Sequence, residues 1–352
     1  DDEKHGYFKR RQHVQKIVLN SLYGVLGLPV FRFYDIDNAE ATTTTGQELI
    51  KFTERIANKY YNDKLGDKKD YCIYTDTDSV FYSAIPLVKK DYPNADLTDD
   101  KFMTEKILET AGVVQDFIND SYNLFAKKFL NCDTHRFDIK QECVAKSAFW
   151  VTKKRYGQWI INDGGLTCDK LDVKGLDIVR SSFPPAMRDL MTQVLKDILG
   201  DVDKDVIDEK ILKFKKEMKT SDIQNISLPT GVKKLSKFKD STPRDAVFTN
   251  MKKGTPVHVK AAWVYNDLLK YWGLNNFEKI KSSEKIKWIY LKPNTMNIKQ
   301  IAFKGYDDPP KIMEFIEQNI DYDKLFTRAL EKKIRMFYEA LKWDMPVDKA
   351  NT

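Results

Sequence analysis

Histidine and cysteine are scarce in this 352-residue chain, with four of each. Cys72, Cys132, Cys143 and Cys168 form no CxxC pair and the histidines are scattered, which argues against a zinc site. A chain of this length does not depend on a disulfide framework either, so the cysteines read as reduced, structural residues of an intracellular protein. No run approaches the roughly 18 apolar residues of a membrane span, and no signal peptide is visible. No membrane partner is therefore expected. An initiating methionine is missing too: Asp1 opens inside a helical pattern, which reads as a piece of something longer.

What is present suffices for packed cores. Hydrophobic residues make up 42% and aromatics 12% of the chain. Its length exceeds what one core supports, so two or three subdomains are expected. The formal net charge of +7, carried mainly by lysine, suits a polyanionic partner, although many basic proteins have none.

Periodicity divides the chain into α and β stretches, an α+β pattern. Residues 8–26 are amphipathic at helical period, with Lys9, His13, Lys16, Asn20 and Tyr23 on one face and Ile17, Val18, Leu19, Leu22, Val25 and Leu26 flanking it. Gly27 and Pro29 end that helix. A second helix is predicted over 38–62, a strand-turn-strand unit over 71–85 and a helix over 99–130. Residues 136–174 alternate at period two and predict an antiparallel sheet. Helices follow at 184–200 and 203–219, then a basic, loop-rich stretch. Beyond it come a helix at 257–272, strands at 284–292 and 298–304, and helices at 309–320 and 322–343. The break falls near 175–182, where sheet gives way to a mostly helical, basic region.

Three stretches carry chemistry. In YTDTDS, Asp76 and Asp78 are two apart, so in a regular strand they project to one side and repel unless a cation joins them. Mg²⁺, which takes one or two carboxylates plus substrate phosphates, suits such a pair; solvated carboxylates at a hairpin tip are the alternative. In KIVLNSLYG, Lys16, Asn20 and Tyr23 place a cation, an amide and a flat ring on one helical stripe, which suits a nucleotide or else is a solvated face. Lys153, Lys154, Arg155 and Tyr156 put three cations beside an aromatic after a strand, either a phosphate contact or a solvated strand end.

Together, in this order, the three stretches resemble those of the family B DNA polymerases: a fingers-helix motif, a catalytic palm motif and a palm motif that touches primer-template DNA. TPVHVKAAWVYN further resembles a thumb segment of the bacteriophage T4-like branch, and IKQECV the family's acidic palm strand. The resemblance implies a fingers helix at 1–30, an antiparallel palm sheet with packed helices at 31–178 and a mostly helical thumb at 179–352. It implies template-directed DNA synthesis, with dNTPs transferred to a primer 3′-hydroxyl by a two-metal (Mg²⁺) mechanism. Asp78 would be a metal ligand, with Asp76 and Glu142 as neighbouring carboxylates. Lys16 would contact the triphosphate, Asn20 and Tyr23 would shape the base-pair pocket, and Lys153, Lys154, Arg155 and Tyr156 would hold DNA. A sliding clamp would be a further partner, and the location intracellular, the host cytoplasm if the source is a phage.

The sequence also departs from the family. It contains no DxxSLYPS-like motif for the other catalytic aspartate, no acidic 3′–5′ exonuclease region and no arginine of the first fingers helix. The expectation is a C-terminal half that needs an N-terminal polymerase segment or subunit bearing the missing motif and is inactive alone. The competing expectation is a non-catalytic DNA-binding scaffold subunit. Residues 251–304 hold eleven lysines against Asp267, Glu278 and Glu284, an excess able to track duplex phosphates or simply to solubilise a surface.

Overall fold

The computed structural model describes residues 2–240 and 248–347. They fold as two compact units. One takes the described residues up to Val144 together with Ile161–Cys168; the other takes Ala145–Ile160 and the described residues from Asp169 on. The architecture is α+β, with small antiparallel sheets among helices. No described helix is long and apolar enough to cross a membrane.

The first unit opens with α1 (Asp2–Leu26) and α2 (Ile36–Leu65). Asp35 caps α2 by accepting the Asn38 N–H, and Gly66 ends it in the left-handed region at φ 75°, its N–H returning to the Asn62 carbonyl. After the hairpin β1 (Cys72–Asp76) and β2 (Ser79–Tyr82) come a short α3 (Ile85–Asp91) and the long α4 (Asp100–Phe129), whose first turn is capped by Asp99. α2 and α4 pack through Phe52, Ala57, Ile118, Tyr122 and Phe125, and a buried Thr53–Tyr122 hydroxyl pair at 2.8 Å satisfies the polar atoms between them.

Residues 136–142 differ from expectation. Their alternation predicts a strand, yet β3 begins only at Cys143. Side-chain amides of α4 stand in for a strand partner. Asn119 both accepts the Ile139 N–H (2.8 Å) and donates to its carbonyl (3.0 Å), while the Gln115 side chain accepts the Gln141 N–H. Phe137 and Ile139 meanwhile pack on the α2–α4 core, which accounts for the alternating pattern.

β3 (Cys143–Thr152), β4 (Arg155–Asp163) and β5 (Leu166–Lys174) form one sheet in sequence order. In the second unit, α5 (Pro185–Leu199) and α6 (Lys204–Glu217) are followed by a four-residue α7 (Ile223–Ile226) and β6 (Leu228–Gly231). β6 is the edge of a sheet completed by β7 (Lys285–Tyr290) and β8 (Gln300–Phe303), and an edge tolerates its Pro229. α8 (Val257–Tyr271) lies against β8 and buries Ala261, Ala262 and Tyr265. Part of the basic loop, 241–247, lies outside the described residues.

The chain then runs through α9 (Pro310–Asn319) and α10 (Tyr322–Leu325). A π-helical turn, Phe326–Glu331, separates α10 from α11 (Lys332–Leu341) within the helix expected at 322–343. The core of this unit runs through Met187, Leu195, Ile211, Ile226, Tyr265, Phe303 and Phe337, all fully buried.

Candidate nucleotidyl-transfer and nucleic-acid site

The aspartates sit at the tip of the β1–β2 hairpin. Pairing runs Thr75↔Val80 and Asp76↔Ser79, so Thr77 and Asp78 are a two-residue turn. Strand alternation therefore stops at Asp76 and no longer fixes the side to which Asp78 projects. Asp78 is exposed and Asp76 half-buried, because a two-stranded ribbon has one packed face and a free tip. The desolvation cost that a buried acid pair would carry is thus largely absent. Thr77 has φ 57°, a left-handed conformation that a β-branched residue adopts only under strain, on the order of 1–2 kcal/mol. The Asp76 carbonyl accepts both the Asp78 N–H (2.7 Å) and the Ser79 hydroxyl (3.0 Å), and the Thr77 hydroxyl donates to the Asp76 carboxylate. Strain of this kind, held by a local hydrogen-bond set, is a feature of functional turns.

α2 holds the hairpin in place. The Tyr82 hydroxyl donates to the Glu54 carbonyl at 3.0 Å and the Tyr61 hydroxyl to the Ser83 carbonyl at 3.1 Å, with the two rings stacked at 5.3 Å. Burial pushes both phenols well above their ordinary range, so they stay neutral donors at any physiological pH. Asn58 closes the base of the hairpin, accepting the Tyr71 N–H and donating to Asp70.

Lys16, Asn20 and Tyr23 are all exposed on α1. So are the apolar residues flanking them: Ile17, Val18, Leu19 and Leu22 are 52–66% exposed, an unusual density for one helix. Glu142 is exposed and immediately precedes β3, its carbonyl accepting the Gly164 N–H. The fit to a divalent ion is that of a partial site. Asp76 and Asp78 supply hard oxygen donors sufficient for an ion completed by substrate phosphates, and Glu142 is a third carboxylate of the same unit. Among the described residues no group of three or more His, Cys, Asp and Glu side chains is placed to hold an ion unaided.

In the second unit the basic cluster splits. Lys153 and Lys154 are exposed in the β3–β4 turn, with Lys154 at φ 61°. Arg155 turns inward, and its Nη2 donates to Asp177 at 2.7 Å. Tyr156 is 5% exposed, its ring tilted against Trp150. Beneath the turn lies Gly175 at φ 66°, where an added Cβ would stand 2.0 Å from the Lys154 carbonyl oxygen. Gly175 and Asp177, neither of which the sequence marks as part of the basic cluster, contact this turn. The signal available was the glycine directly after β5 in KGLD, which marks a close backbone approach.

The family model described as DNA polymerase family B matches residues 1–91 and 118–340. The chain is 26% identical over 353 aligned positions to the DNA-directed DNA polymerase of Escherichia phage RB69, covering 94% of this chain and 37% of that protein. To the DNA-directed DNA polymerase of Enterobacteria phage T4 it is 25% identical, with the same coverage of each. To the DNA polymerase alpha catalytic subunit of Mus musculus it is 27% identical, over 72% of this chain and 15% of that one. The chain thus spans well under half the length of these relatives.

Proposed function

The chain belongs to DNA polymerase family B, and from that membership we propose that it contributes fingers, palm and thumb elements to template-directed DNA synthesis. Residues 1–30 act as a fingers helix, 31–178 as palm and 179–352 as thumb. The observation that carries the reading is the strained Asp76–Thr77–Asp78 tip, which presents an exposed carboxylate within a stretch matched by the family.

Each residue's proposed role follows from its chemistry. Mg²⁺ held at Asp78, with Asp76 and Glu142 as further carboxylates, would supply Lewis-acid activation of the primer 3′-hydroxyl and neutralise the triphosphate. Lys16 binds the triphosphate as a point charge, and Asn20 and Tyr23 shape the pocket for the nascent base pair. Lys153 and Lys154 grip primer-template phosphates, and the lysines of 251–304 extend that sequence-independent hold.

The missing palm aspartate and first fingers helix would come from an N-terminal polymerase segment or from a separate subunit. The exposed apolar flank of α1 is the surface that supports its docking. The test pairs fluorescence-anisotropy binding of primer-template DNA over a salt series with primer extension, with and without that polypeptide. The chain alone is expected to bind, with affinity falling steeply as salt rises, and to extend only when the partner is added. Extension by the chain alone would show that its second metal ligand has been misplaced. Binding without extension, even with the partner, would favour a non-catalytic scaffold.

A further inference from the structure

Arg155 uses its whole fork inside the protein. Nη2 donates to Asp177 Oδ2 at 2.7 Å, Nε to the Gly175 carbonyl at 3.2 Å, and Nη1 approaches Met336 Sδ at 3.2 Å. Asp177 is 8% exposed and starts the short 3₁₀ turn Asp177–Val179. It gathers two more cations, Lys333 Nζ at 3.0 Å and Arg180 Nη1 at 3.3 Å. One carboxylate therefore ties the β3–β4 turn to α11, while Gly175 packs directly under the Lys154 carbonyl. The exposed lysines and the inward arginine are adjacent in sequence, so the lock reaches Lys154 through a single peptide bond.

We infer that Asp177 is a positioning residue for primer-template DNA: through Arg155 it fixes the β3–β4 turn and presents Lys153 and Lys154 as a preorganised pair of phosphate contacts. Arg155 is then an internal strut, although it lies in the basic cluster. The inference rests on the reading of this chain as part of a DNA polymerase. Its physical basis is the geometry of the guanidinium, whose donors diverge from one plane and satisfy three acceptors at once, which an ammonium on a flexible stem cannot do. Two lysines held in place lose less side-chain freedom on binding than two on a mobile turn.

The test is anisotropy titration of the 352-residue chain with a labelled primer-template duplex, with thermal midpoints recorded for every variant. Arg155→Lys keeps the charge and breaks the fork, and is expected to weaken binding about tenfold, the scale of one charge-assisted hydrogen bond. Were Arg155 a phosphate contact, lysine would keep most of the affinity. Asp177→Asn is expected to weaken binding similarly. Combined with Lys154→Gln, it should add no more than about twofold, because coupled residues are non-additive. If Asp177→Asn does not fold, Arg155→Lys carries the test.

A Lys154→Gln variant that binds like the wild type would overturn this inference together with the DNA reading. A weakened Lys154→Gln beside an unaffected Arg155→Lys, or a fully additive Asp177→Asn, would overturn the strut alone.

Discussion

Replacing Gly175 by alanine puts a methyl group where there is no room for one. The residue sits at φ 66°, so any L side chain costs about 1–2 kcal/mol from backbone strain alone. The new Cβ would stand 2.0 Å from the Lys154 carbonyl oxygen, 3.1 Å from its carbon and 3.3 Å from Arg155 Cγ. Relief requires the turn to shift by roughly 1.4 Å, since ordinary contact to a Cβ begins near 3.4 Å, and overpacking of this kind costs about 1–3 kcal/mol. The turn cannot shift freely, because Arg155 is anchored on Asp177. The total is about 2–5 kcal/mol.

Gly254→Ala is the control. It has φ 83° but nothing within 4 Å of its built Cβ, so it carries the strain without the clash. All six tryptophans lie in the second unit, which makes fluorescence-monitored urea unfolding a direct assay of both variants. Gly175→Ala is expected to be less stable than Gly254→Ala by about 1–3 kcal/mol and to bind primer-template DNA less tightly. Equal destabilisation by the two would refute the close approach and the account of the turn built on it.

Thr77→Asn should relieve left-handed strain at the hairpin tip, because asparagine tolerates positive φ. The gain is about 1 kcal/mol, read as an approximately fivefold slowing of hydrogen exchange at the β2 amides; faster exchange would contradict the strained turn. Burial holds the His258 imidazole below its ordinary 6.5, so the unfolded chain takes up that proton first. Its stabilisation is present above about pH 6.5 and lost as pH falls, with a slope below about 1.4 kcal/mol per pH unit. Urea unfolding between pH 8 and pH 5 should show this, and His258→Gln should flatten it; an unchanged pH curve in the variant would assign the slope to other groups.

Much of this fold is legible in the residues themselves. α4, α5 and α8 lie within one residue of their expected limits and α2 within three, because periodicity and punctuation agree there: Asp35, Gly66 and Asp99 cap, and Pro184 and Gly200 bound. Three features were not legible. The period-two pattern of 136–142 is that of a strand, but the amides of Asn119 and Gln115, 20 and 26 residues upstream of their partners, take the strand partner's place. YTDTDS lacks the glycine or asparagine that marks a two-residue turn, so nothing in the sequence stops its alternation before Asp78. Arg155 reads as part of a basic surface because its partner Asp177 lies 22 positions later, beyond any local pattern.

The central claim is that Asp78 serves nucleotidyl transfer. Single-turnover incorporation of one nucleotide tests it most directly, comparing wild type with Asp78→Asn, each assembled with the polypeptide that carries the other palm aspartate. Duplex affinity is measured on the same preparations. The account predicts a loss of incorporation on the order of a thousandfold or more, because the charge that would hold the ion is gone. Duplex affinity should stay within a few-fold, because phosphate contacts reside in the lysines. Near-wild-type incorporation by Asp78→Asn would contradict the assignment of this hairpin as the catalytic site.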